Sequence, residues 1–192
     1  MSIQTKTLSV RIKDRHAPLL RQMAFEANQV FNLANEITSK AYSNACEAGP
    51  QIPVWLSVFD VQKQTAGIQK ERGWTIGSAT VQEVIASHGK ARQQFKRAKL
   101  RWRSSSGSKR ALGWIPFKSR AASWKGGQVK FAGYFFKVWD SYGLSAYQFR
   151  AGSFSEDSRG RWYFNVCVQV ECKTTTATSA VGVDLGLKDT AT

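Results

Sequence analysis

The sequence predicts an α+β protein: an antiparallel β domain closed with the opening strand, and a helical insertion carried between them. Three observations predict it. One alternating run opens the chain, helical periodicity fills residues 15–103, and short alternating runs separated by glycine turns follow from residue 112. A Ser-rich break, Ser104-Ser105-Ser106-Gly107-Ser108, separates the last two regions and predicts a domain boundary.

Thr5 to Lys13 places Leu8, Val10 and Ile12 on one face and Thr7, Ser9 and Arg11 on the other, as a half-buried strand requires. Pro18 suits a first helical turn, where its missing N–H is no loss. A long helix to about Ala48 follows, because Leu20, Met23, Ala27, Val30, Phe31, Ala34, Ile37, Ala41 and Ala45 recur at three- and four-residue spacing. Gly49-Pro50 ends it. A second helix is expected from Leu56 to Glu71, opened by Pro53 and stopped by Gly73. A third is expected from Ser78 or Thr80 to Arg103. Its apolar stripe runs through Val81, Val84 or Ile85, His88, Ala91, Phe95, Ala98 and Trp102. His88 lies on that stripe and reads as a core or edge histidine, not a catalytic one. His16, at the strand-to-helix turn, is expected to be exposed.

Beyond the serines, strands are expected over Leu112 to Lys118, Gln128 to Phe131, Phe135 to Trp139 and Tyr147 to Phe154. Gly126-Gly127 is a hairpin signal, and Glu156 to Gly160 is a second turn. Trp162, Phe164, Val166, Val168 and Val170 alternate with polar neighbours in the clearest strand of the chain. Lys173 to Ser179 reads as a Thr-rich linker. Ala180 to Asp189 reads as a buried strand carrying Asp184 between two glycines. A carboxylate there needs a cation or hydrogen bonds. Metal-assisted phosphodiester chemistry supplies one reason, and nucleotide-binding folds use the same G-x-D-x-G spacing.

Composition bounds the function. Hydrophobic residues form 42 % of the 192 residues and charged ones 21 %, which excludes wholesale disorder. No stretch approaches the ~20 apolar residues of a membrane span, and Met1 to Lys6 has no apolar run, so a cytoplasmic protein is expected. Cys46, Cys167 and Cys172 form neither a CxxC nor a Cys/His cluster, so reduced thiols are expected rather than a disulfide framework or a zinc site.

The formal net charge of +15 is the strongest signal. No acidic residue lies between Glu83 and Asp140, yet that segment holds half of the 28 lysines and arginines. A region of one sign needs a partner to neutralise it, and nucleic acid is the expected polyanion. The candidate contacts are Lys90, Arg92, Lys96, Arg97, Lys99, Arg101, Arg103, Lys109, Arg110, Lys118 and Arg120. Arg92, Lys96, Lys99 and Arg103 would share one helix face at spacings of four, three and four. Trp102, Trp114, Phe117, Trp124, Phe131, Tyr134, Phe135 and Phe136 are interleaved with these cations, most as core and some as stacking platforms.

Several stretches together resemble one family. Val181-Gly182-Val183-Asp184-Leu185-Gly186-Leu187-Lys188-Asp189 resembles the first RuvC motif of the TnpB (OrfB) family. These are transposon-encoded RNA-guided DNA endonucleases, also described as transposases and related to type V CRISPR effectors. Val30-Phe31-Asn32 on the first helix, Gln82-Glu83-Val84 through Phe95-Lys96, Gly113-Trp114-Ile115-Pro116-Phe117-Lys118 and Arg161-Trp162-Tyr163-Phe164 are similar to further parts of it. The resemblance spans the whole chain.

It implies a wedge-like antiparallel β-barrel over 1–14 and 104–172. It also implies a three-helix recognition domain inserted at 15–103, a linker at 173–179, and the first strand of a RuvC (RNase H-like) nuclease domain at 180–192. It implies as partners a guide RNA from the transposon end and double-stranded target DNA bearing a short adjacent motif, with no membrane. It places Gln82 in motif recognition and Asp184 as the first catalytic carboxylate and metal ligand, with a bacterial, nucleoid-associated location when DNA is bound. The family site needs a further glutamate and aspartate, and Asp189 belongs to the same motif as Asp184. One carboxylate cannot hold two Mg²⁺ ions. These 192 residues are therefore expected to bind nucleic acid without cutting it, as in a truncated chain or the N-terminal half of a longer one. Two alternatives stand beside this: a non-catalytic DNA-binding protein or repressor from the same fold, and a basic RNA-binding structural protein.

Overall fold

The computed structural model describes residues 2–47 and 54–172. Gly49-Pro50, Pro53, the linker expected at 173–179 and the strand expected at 180–192, with Asp184, lie outside the described residues. Strand β1 (Ser2–Arg11) turns Leu8 and Val10 inward, and Ile12 follows them just past its end. It pairs antiparallel with β7 (Trp162–Cys172) along its full length, from Ser2 opposite Cys172 to Arg11 opposite Tyr163. The alternation seen in each sequence brings the two apolar rows onto one face. Strands β6 (Gly152–Glu156) and β2 (Trp114–Phe117) complete a four-stranded sheet in the order β1-β7-β6-β2.

A second sheet consists of β3 (Ala122–Lys125), β4 (Gln128–Phe131) and β5 (Tyr134–Phe136). Gly126 and Gly127, at φ 56° and 72°, form the two-residue turn between β3 and β4. Left-handed backbone at both positions matches the right-handed twist of the paired strands. The two sheets meet through phenylalanines. Phe131 and Phe136 lie 4.9 and 5.3 Å from Phe154, and Phe117 stacks on Phe164 at 5.5 Å.

All strand pairings are antiparallel, as expected, but the sheets do not close into a barrel. The second sheet has strands of only three or four residues. It reaches the first at one corner, through the bridge Ile12–Val138 and hydrogen bonds from Lys13 N to Lys137 O (2.9 Å) and Trp139 N to Arg11 O (2.8 Å). The expected strand at Leu112 to Lys118 shortens to β2. That at Tyr147 to Phe154 shifts to β6, because Tyr147 closes a 3-10 turn on Leu144.

Helix α1 (Ala17–Glu47) matches the long helix expected, with Leu20, Met23, Ala27, Val30, Phe31 and Ala34 buried. The second expected helix is two. Helix α2 (Val58–Gln64) opens on a capping box between Ser57 and Asp60. Gly67, at φ 84°, then breaks the chain before α3 (Ile68–Glu71). Helix α4 (Ser78–Phe95) stops eight residues before Arg103, at Lys96 in left-handed conformation. Helices α1 and α4 pack on each other and on β2, and the buried residues from Leu8 to Val168 form one cluster. Among the described residues no helix is long and apolar enough to cross a membrane.

Candidate functional site

The early end of α4 sets the geometry of the basic segment. Residues after Lys96 run back along α1, held by a ladder of polar side chains on that helix. Asn35 accepts a hydrogen bond from Leu100 N (2.8 Å) and donates to Leu100 O (2.9 Å). Asn32 does the same for Arg103, at 2.8 and 2.9 Å. Each amide therefore imitates one rung of a β ladder. Asn28 donates to Ser105 Oγ (3.0 Å) and Thr38 donates to Ala98 O (3.5 Å), extending the ladder at both ends. Three- and four-residue spacing puts all four side chains on one face of α1. Buried amides in such positions must be paired, and the partners of Asn32 and Asn35 are the backbone of the basic segment.

The ladder sorts the cations. Lys96, Arg97, Lys99 and Arg101 are exposed, while Arg103 is turned inward. The Arg103 guanidinium lies 3.9 Å from the Phe31 ring centre and 5.3 Å from that of Trp114, and burial lowers its pKa. Arg92, Lys96, Lys99 and Arg103 thus do not share a helix face, as the spacing had suggested, because only Arg92 is helical. Arg92 is itself 2 % exposed. It donates to Leu56 O (3.1 Å) and lies over the Trp55 ring at 4.1 Å, and burial lowers its pKa. Its place is in the helix packing, not on the surface. Phe95, the last residue of α4, and Trp102, beyond it, leave the expected apolar stripe and are 61 % and 46 % exposed.

His88 is buried, with its ring edge against Phe31 (5.0 Å) and Nε2 at 3.5 Å from Asn35 Oδ1. Burial first, then the charges of Arg92 and Arg103, lower its pKa to about 4, so it is a neutral core side chain. His16 is half-buried rather than exposed. Its Nε2 accepts a hydrogen bond from Lys137 N (3.0 Å), and its edge meets Phe136, tying the first helical turn to the second sheet.

Phe31, Ala91, Phe95 and Leu100 form the apolar wall of a cleft of about 380 Å³. Arg97, Arg101 and Arg103 provide its cations, and no acidic residue lines it. Gln82 and Lys118 are brought together at a second place, where α4 passes the end of β2. Lys118 Nζ donates to Gln82 Oε1 (3.0 Å) and lies 3.7 Å from Glu83. Lys90 and Lys109 are exposed without an acidic partner among the described residues, as is Arg120, which turns the chain between β2 and β3 at φ 68°.

Arg110 has a different role. It donates to the buried Glu156 (2.6 Å), which also accepts from Gly113 N (3.0 Å) and faces Arg21 at 3.7 Å. Burial raises the Glu156 pKa, but the hydrogen bonds from Arg110 and Gly113 and the two arginine charges together hold it below the usual carboxylate value. This cluster anchors residues 110–113 to β6. Other acidic side chains are occupied in the same way. Glu26 accepts from Thr75 and Ile76, Asp157 pairs with Arg161, and Asp140 caps the turn at Tyr142 to Leu144. Lys96, Arg97, Lys99 and Arg101 have no acidic partner among the described residues.

The asparagine ladder is the part of the site that composition and charge did not reveal. Its signal was available: Asn28, Asn32, Asn35 and Thr38 form a polar stripe beside the apolar one on a long helix. Cys167 is a free thiol, with Sγ 3.6 Å from Thr7 Oγ1. Asp184, which carries the metal and catalytic expectation, lies outside the described residues. No protein-family model matches the chain, and no curated protein matches it.

Proposed function

We propose that this chain is the nucleic-acid-binding portion of a TnpB-like RNA-guided DNA endonuclease. The observation that carries the reading is the non-helical segment from Lys96 to Arg103. Asn32 and Asn35 hold its backbone, and Lys96, Arg97, Lys99 and Arg101 stand exposed beside an aromatic cleft. Exposed cations on a tethered backbone next to aromatic rings suit a phosphate backbone with accessible bases. The antiparallel sheets act as the wedge, open rather than closed, and the helices as the recognition part.

In this reading guide RNA lies along the basic segment. Gln82 and Lys118, joined at 3.0 Å, face the short motif in target DNA. Sequence specificity resides in base pairing with the guide, so the side chains supply affinity and register. Among the described residues no group of three or more His, Cys, Asp or Glu side chains could hold a metal ion. In this reading Asp184 would be one ligand of such an ion.

The test is binding of single-stranded RNA by the full chain across a salt series. Replacing Lys96, Arg97, Lys99 and Arg101 together with Gln is expected to weaken binding. The slope of log affinity against log salt should fall by about 0.7 for each phosphate that the variant no longer neutralises. Unchanged affinity and slope would reduce the segment to solvated surface. RNA retained through a high-salt purification should be one discrete species; bulk RNA that salt removes would leave only polyanion binding.

A further inference from the structure

Phe95 ends α4 with 61 % of its surface exposed, although large apolar side chains are usually covered. It lines the cleft of about 380 Å³ together with Phe31, Leu100, Arg97 and Arg101. A cleft of this size is within the range that encloses small organic groups, roughly 300–1,000 Å³. Its chemistry is mixed: Phe95 offers an exposed aromatic ring, and Arg97 and Arg101 offer positive charge. An unpaired nucleobase has the complementary form, a flat π surface joined to phosphates on either side. A base within a duplex does not, because its neighbours already cover both of its faces. An apolar peptide helix would meet three arginines with no carboxylate in the cleft to balance them. Lys96 and Lys99, also exposed on the same segment, extend the positive field along a strand rather than around a point.

We propose that this cleft receives one unpaired base of a single-stranded nucleic acid, stacked on Phe95, with the adjoining phosphates held by Arg97 and Arg101. The proposal rests on the nucleic-acid reading above and adds a preference for single strands over duplex at this position.

The test compares the full chain with its Phe95→Ala and Phe95→Trp variants. The probes are a single-stranded RNA oligonucleotide and the duplex of the same sequence. Phe95→Ala is expected to weaken single-strand binding roughly tenfold or more, with the salt slope and the duplex affinity unchanged. Phe95→Trp should restore the affinity, because a larger ring still stacks. Salt-dependent binding by the unsubstituted chain together with an unaffected Phe95→Ala variant would overturn the base-stacking proposal alone. Equal losses for single strand and duplex would overturn it too, since a general distortion would then be the cause. Failure of the unsubstituted chain to bind RNA at all would overturn the nucleic-acid reading as well.

Discussion

Asn35 holds more of the site together than any cation does. Its amide satisfies both backbone groups of Leu100, and its Oδ1 also lies 3.5 Å from His88. Removing a buried partner leaves the other groups desolvated and unpaired, which costs more than the hydrogen bonds themselves contribute. Asn35→Ala is therefore expected to destabilise the fold by about 2 kcal/mol, measured as a lower urea midpoint. It should also weaken RNA binding beyond the loss of stability, because the cations from Lys96 to Arg101 lose their fixed spacing. At residue scale the sequence was legible where one side chain met one periodic environment, as for Leu8, Val10 and His88. It was not legible for Arg92 or Arg103. An arginine in a basic run has the same local context whether it faces solvent or lies over a buried ring.

Elements meet closely at β6. A Cβ placed on Gly152 would stand 2.1 Å from Asn165 O and 2.6 Å from Phe117 Cζ, between a neighbouring strand and the aromatic core. Backbone on one side and a packed ring on the other leave no direction for relief. Gly152→Ala is expected to destabilise the protein by roughly 2–3 kcal/mol, read from denaturant unfolding with an unchanged slope. β1, α1, β4 and β7 were readable because each carries a regular apolar period over its length. The end of α4 was not. No glycine or proline marks Lys96, and the residues beyond it keep a helix-like pattern. Beyond it, side chains of α1 bond backbone groups of Ala98, Leu100 and Arg103 in place of helical partners. α2 and α3 part at Gly67 by the more visible route, a left-handed glycine within an otherwise helical stretch.

The whole molecule carries a pH dependence through its buried histidine. The pKa of His88 falls from 6.5 to about 4 on folding, so the unfolded chain takes up a proton in that interval and the folded one does not. Stability is then complete above pH 6.5 and declines as pH falls toward 4, by about 3 kcal/mol in all. His16, lowered in the same direction, adds to the upper part of that decline. Glu156, held below its usual value, adds a further loss below the ordinary carboxylate range. Urea unfolding of His88→Gln at a series of pH values should show a flatter profile between pH 4 and 6.5 than the unsubstituted chain. An identical profile would remove His88 as its cause.

The sequence by itself determined the α+β class, the antiparallel pairing and the concentration of positive charge between Glu83 and Asp140. These follow from side-chain period and composition, which are local properties. Tertiary structure decided which cations face solvent, where α4 ends and that the sheets do not close into a barrel. Each of those depends on what a distant segment offers: the amides of Asn32 and Asn35 to the backbone, Phe31 and Trp114 to Arg103, and a single bridge at Val138 to the end of β1.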